Sequence, residues 1–112
     1  MQTIAEMPEF VRRAEKLLSS SEHQLLISHL AEKPKAGALI QGTGGIRKIR
    51  WARPGAGKSG GYRVVYYYHS DRIPLYLLTI FGKNEKANLS LAERNSLAEL
   101  VKLLVEASGL EK

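Results

Sequence analysis

The stretch "ARPGAGKSGGYRVVYYYH", residues 52–69, decides how the middle of the chain folds. Ala52 stands where the first glycine of a phosphate-binding loop would be, and Gly57-Lys58-Ser59 follow at the expected distance. Such a loop works only between a strand and a helix, because the helix's first N–H groups and its dipole hold the phosphates. Here Gly60-Gly61 follow Ser59 at once, and Tyr62-Arg63-Val64-Val65-Tyr66 is β-branched and aromatic, a strand-forming run. A chain of 112 residues also leaves no room for the parallel α/β sheet on which such loops sit. The stretch therefore reads as a glycine-rich hairpin loop that displays Lys58 beside Arg53 and Arg63.

Working outward, "IRKIRW" before the loop alternates with period two. One face carries Ile46, Lys48 and Arg50, the other Arg47, Ile49 and Trp51. Tyr62 to His69 has bulk on both faces, as a central strand would, and so does "LYLLTIF", Leu75 to Phe81. Three strands joined by short loops predict an antiparallel meander. Toward the N-terminus, a short strand at Thr3–Glu6 precedes a helix opened by Pro8, with Phe10, Val11, Ala14, Leu17 and Leu18 at helical spacing. Ser19-x-x-Glu22 is a capping box for a second helix, which Pro34 stops, and "KAGALIQGTGG" reads as a loop. Ser90-x-x-Glu93 opens a last helix with Leu97, Leu100, Val101 and Leu104, ending near Gly109. The expected architecture is a single α+β domain over residues 1–112: an N-terminal helical hairpin packed on a curved antiparallel β-sheet, with a C-terminal helix.

Composition limits the function. With 44% hydrophobic and 25% charged residues the chain is ordinary for a globular domain. No run is long enough to cross a membrane and no signal-peptide pattern opens the chain, so a cytoplasmic protein is expected. There is no cysteine and only three scattered histidines, so neither a metal nor a cofactor is expected. The net charge of +6 is unevenly spread. Residues 33–86 hold eleven Lys/Arg against Asp71 and Glu85, a balance of +9, which leaves −3 for the remainder. Such a concentration fits a polyanionic partner such as nucleic acid better than a solubilising face.

Within that basic segment Arg63 stands out, because its strand neighbours are apolar or aromatic and a buried guanidinium needs an anion. An internal ion pair and a bound phosphate both satisfy that need. Acids are scarce nearby, and the guanidinium fork suits two parallel hydrogen bonds to phosphate oxygens. Val65, Tyr67 and His69 share its face, and Tyr67 there offers a surface on which a base can stack. His23 and His29, six apart on a helix, share no face and carry no assigned role.

Taken together, the helical hairpin, "GTGGIRKIRWA", the basic glycine loop, "GYRVVYYYH", "YLLTIFGKNEKANLS" and the closing helix resemble the RelE/HigB superfamily of bacterial toxins, nearest its HigB-type branch with "GKNE" at Gly82–Glu85. The resemblance implies a ribosome-dependent, metal-independent endoribonuclease that cuts messenger RNA and inhibits translation. It also implies a cognate helix-turn-helix antitoxin, through which alone the protein would meet DNA. Carried over, Arg63 matches the arginine that binds the scissile phosphate. Lys48 and Arg50 match the two basic positions of the preceding strand, and Lys83 the "GK" segment. Asn84 and Ser90 stand where well-known members have a catalytic arginine and a tyrosine.

RNA brings its own nucleophile, the ribose 2′-OH, so cleavage needs alignment, charge stabilisation and a proton for the leaving 5′-oxygen. The catalytic set expected is Arg63, Lys58, Arg50, Lys48 and Lys83, with Arg47, Arg53, Tyr67 and Lys86 as RNA contacts. Lys58 crowded by cations, Tyr67 or His69 can each be written as the group that moves a proton. Two other functions fit parts of the pattern. One is a ParE-like protein inhibitor of DNA gyrase on a similar fold; the other is an RNA-binding module without catalysis.

Overall fold

Trp51 lies opposite Tyr62 in an antiparallel pair, so the segment between them joins two neighbouring strands, and no phosphate-loop helix follows. The structure, a computed structural model, describes residues 2–51, 61–82, 85, 86 and 88–109. The elements run β1 (Ile4–Glu6), α1 (Pro8–Leu17), α2 (Ser20–Glu32), β2 (Ala38–Leu39), β3 (Ile46–Trp51), β4 (Tyr62–Tyr67), β5 (Leu75–Gly82) and α3 (Leu91–Ser108).

Both capping boxes form. The Ser19 hydroxyl accepts from the Glu22 N–H at 3.2 Å while the Glu22 carboxylate accepts from the Ser19 N–H at 2.7 Å. Ser90 and Glu93 repeat the exchange at 3.1 and 2.8 Å, and Gly109 ends α3 in the left-handed region at φ 78°. Each box satisfies two N–H groups that a helix start would otherwise leave open.

The predicted meander is the centre of a five-stranded sheet ordered β1-β5-β4-β3-β2. Two edges were not foreseen in this form. β1 runs parallel to β5, with Ile4 opposite Leu75, and β2 is a two-residue strand inside the stretch read as a loop. A register shift between Val65 and Tyr66 against β5 bends the central pair, since a bulge adds local twist. The strand expected to reach His69 stops at Tyr67.

Two apolar clusters sandwich the sheet. On one face Phe10, Ala14, Leu26 and Leu30 of the helical hairpin bury Val64, Tyr66, Leu77 and Ile80. On the other, Val101 of α3, with Leu97, Leu100 and Val105, covers Ile46, Val65, Tyr67, Leu78 and Phe81. Beside the first turn of α3 the same face of the sheet carries Lys48 and Arg63, which line a cavity there.

Tyr66 ties the helical hairpin to the sheet. Its hydroxyl donates to the Pro34 carbonyl and accepts from the buried Gly37 N–H, both at 2.8 Å. Burial pushes this hydroxyl above its ordinary pKa, so it stays a donor. Gly37 has to be glycine here: a Cβ would sit 2.7 Å from the Lys48 carbonyl and 2.9 Å from the Tyr66 ring. Tyr66→Phe strands a buried N–H and is expected to cost about 1–3 kcal/mol. A guanidinium titration would show it as a lower midpoint at unchanged slope; an unmoved midpoint would show the bridge to be incidental.

Candidate active site

The β3–β4 register builds the site. Lys48 is opposite Val65, and Arg50 is opposite Arg63. Directly opposed residues of antiparallel strands share a face, so the β3 face carrying Lys48 and Arg50, expected from the period of two, is brought by the register onto the same side of the sheet as Arg63. Two like charges directly across a strand pair destabilise the sheet. Among the described residues none of these three cations pairs with a carboxylate.

Lys48 and Arg63 reach into a cavity of about 320 Å³. Its apolar walls are Ile40, Val65, Phe81 and Leu89; its remaining polar groups come from Asn88 and Arg94. The Lys48 ammonium meets the neutral Asn88 side-chain oxygen at 3.0 Å, which orients the charge without cancelling it. One terminal guanidinium nitrogen of Arg63 is buried with no hydrogen-bond partner among the described residues, and so is the Arg94 Nε. Buried donors are nearly always satisfied, yet the two arginines that line this cavity each keep one hydrogen-bonding nitrogen, itself closed off from the cavity space, that no described residue satisfies. The lining contains no carboxylate and no imidazole among the described residues.

Other candidates fall elsewhere. Arg53 and Lys58, in segment 52–60, and Lys83 lie outside the described residues. Arg47 is on the opposite face, as its odd position in the strand requires, and donates to the Gly37 carbonyl at 2.7 Å. It is therefore not beside Arg63. Tyr67 shares the face but is only 4% exposed, under α3, and four residues of strand put it about 13 Å from Arg63. It belongs to the core and presents no open stacking surface. Burial also raises its hydroxyl above the ordinary value, making it a poorer proton donor. His69 is exposed beyond the end of β4, bonded through Nδ1 to the Ser70 hydroxyl, roughly 20 Å along the chain from Arg63.

Lys86 is committed to Glu93, its ammonium also lying 5.0 Å from the centre of the Phe81 ring. Lys86 foremost, then the Ser90 N–H, holds the Glu93 carboxyl below its ordinary range. A second carboxylate is held just past the end of β5, away from the cavity that Lys48 and Arg63 line. Glu85 accepts from the Gly82 N–H at 2.9 Å and from Arg13 of α1 at 3.3 Å, and the Gly82 bond foremost lowers its pKa. Because the folded pKa is depressed, this stabilisation is present at neutral pH and is lost as pH falls through the lowered value. Glu85→Gln is expected to shrink the loss of stability on acidification from neutral through the carboxylate range. Parallel acid melts of the two proteins would check it; superimposable profiles would remove Glu85 from the account.

Arg94 and Asn88 were not read from the sequence as site residues. A signal was there for Arg94: Arg94, Leu97, Val101 and Val105 follow the 3-4-4 spacing of one helical face. That places an arginine on the stripe that packs toward the sheet.

A family model described as the RelE toxin of the RelE/RelB toxin–antitoxin system matches residues 6–111, from the end of β1 past the end of α3. The match spans the helical hairpin, the meander, the cationic cleft and the covering helix together, so the chain belongs to the RelE family of toxins, which act in toxin–antitoxin pairs and are matched to a cognate antitoxin.

Proposed function

We propose that the protein is a ribosome-dependent, metal-independent endoribonuclease of the HigB-like branch that inhibits translation by cutting messenger RNA. The observation that carries this reading is the unpaired, part-buried Arg63 guanidinium, set beside Lys48 and opposite Arg50 with no described carboxylate near it. Keeping these like charges together costs folding energy, and a phosphodiester in the cleft would offset that cost.

In this mechanism Arg63 grips the scissile phosphate through its two-pronged fork, and Lys48 and Arg50 stabilise the second negative charge that builds on it. The RNA 2′-oxygen bonds to phosphorus and loses its proton while the bond to the 5′-oxygen breaks and that oxygen gains one. The products are a 2′,3′-cyclic phosphate and a free 5′-hydroxyl. Lys58 and Lys83 complete the cationic set, and Arg53 extends it along the RNA. The working site is the cytoplasmic ribosome, and the cognate antitoxin carries a helix-turn-helix domain that brings the pair to DNA.

The test is induced expression of wild-type and Arg63→Ala proteins, following growth and message integrity together. Growth arrest with fragmented messages, both relieved by the substitution, is the expected result. Arrest with intact messages and blocked replication would instead favour an inhibitor of gyrase.

A further inference from the structure

Arg94 reaches the cleft from a different wall than the other cations. It is the fourth residue of α3, and helical side chains lean toward the N-terminus, so its guanidinium is carried back over the first turn and toward the sheet. Two features are costly there. A cation near a helix N-terminus opposes the dipole, whose positive end it approaches. The Nε of Arg94 is also buried without a partner among the described residues. Lys48, Arg50, Arg63 and Arg94 together place four formal positive charges on or beside one cavity of about 320 Å³. A single phosphodiester carries one negative charge and leaves most of that unbalanced. The cavity has space for roughly ten waters at liquid density, more than one phosphate group needs.

We infer that Arg94 holds a second phosphate of the same RNA strand, beside the one gripped by Arg63, so that the start of α3 is a wall of the RNA-binding site. This rests on the endoribonuclease reading and adds a residue and a contact to it. With the strand held at two phosphates, the ribose between them is fixed in orientation, which is the alignment that in-line attack by its 2′-oxygen demands. Arg94 is then an RNA ligand whose loss weakens binding, whereas loss of Arg63 mainly slows the chemical step.

The experiment uses the full chain, labelled with ¹⁵N, and follows the arginine Nε–H resonances, with Arg94→Lys and Arg63→Lys variants assigning them by deletion. Two probes are titrated: inorganic pyrophosphate, and a short RNA made uncleavable by 2′-O-methylation. Both resonances are expected to move together with both probes. Arg94→Gln is expected to bind the RNA about tenfold more weakly and to lower the slope of log affinity against log salt by about 0.7, the value for one phosphate contact on a single strand. If Arg94→Gln fails to fold, Arg94→Lys takes its place in the salt series, with a smaller loss of affinity and the slope retained.

A moving Arg63 resonance beside a still Arg94, with wild-type binding in the variant, would overturn the inference and leave the endoribonuclease reading standing. Movement with pyrophosphate but not RNA would overturn both, in favour of a site for a free polyphosphate. No movement with either probe would overturn the inference and leave the endoribonuclease reading, which is tested on the ribosome, standing.

Discussion

An Arg63→Met protein is expected to melt at or above the wild-type temperature while cutting messenger RNA about 10²–10³-fold more slowly. The two effects have one cause. In the folded chain the arginine stands opposite Arg50, with one buried nitrogen unsatisfied, so folding bears a desolvation cost that no described residue returns. Methionine removes the charge, and its flexible thioether fits the apolar walls formed by Ile40, Val65, Phe81 and Leu89. In the proposed cleavage step the same guanidinium meets the growing phosphate charge, and its removal would forfeit that stabilisation. Arg63→Lys separates charge from shape: it keeps the cation and loses the two-pronged geometry. Calorimetry with cleavage assays on the same preparations would check the pairing. A large fall in melting temperature would mean that Arg63 is structural.

Phe10→Ala is expected to destabilise the fold by about 3–5 kcal/mol, the largest change anticipated for any single substitution outside the cleft. Phe10 is fully buried between α1 and the sheet, in the cluster that contains Leu26, Leu30, Val64, Tyr66, Leu77 and Ile80. Its ring also meets the edge of His23 on α2, at 5.8 Å between centroids. Truncation therefore opens a cavity where α1, α2 and β5 meet, and the rigid sheet beneath cannot collapse to fill it. Against a total stability of about 5–15 kcal/mol for a domain of this kind, such a loss leaves the protein marginal. Denaturant titration would report it as a large fall in midpoint; a loss under about 1 kcal/mol would mean that the helical hairpin packs loosely.

Features set by nearest neighbours in the chain were legible in advance. The boxes at Ser19 and Ser90 and the period-two run of β3, which puts Lys48 and Arg50 on one face, depend on residues a few positions apart. What escaped depends on distant partners. The parallel pairing of β1 with β5 joins residues about seventy positions apart, and β2 is too short to carry a period. Tyr67 was placed on the correct face, but only the docking of α3 shows that this part of the face is covered. Arg47 looked free because the count of possible partners considered acids, whereas its partner is a backbone carbonyl. Lys86 looked like one more RNA contact until Glu93, already engaged in its helix cap, took it up. Arg94 carries no mark in the sequence that separates it from an ordinary charged position of a capped helix except its place on the apolar stripe.

The account rests on RNA being cut where these cations converge, and primer extension on messages translated by intact ribosomes tests that most directly. Wild-type protein is expected to produce new 5′ ends within codons, and Arg63→Met protein, folded and at equal concentration, to produce almost none. Unbroken messages with the wild-type protein, or the same cuts at the same rate with Arg63→Met, would contradict it.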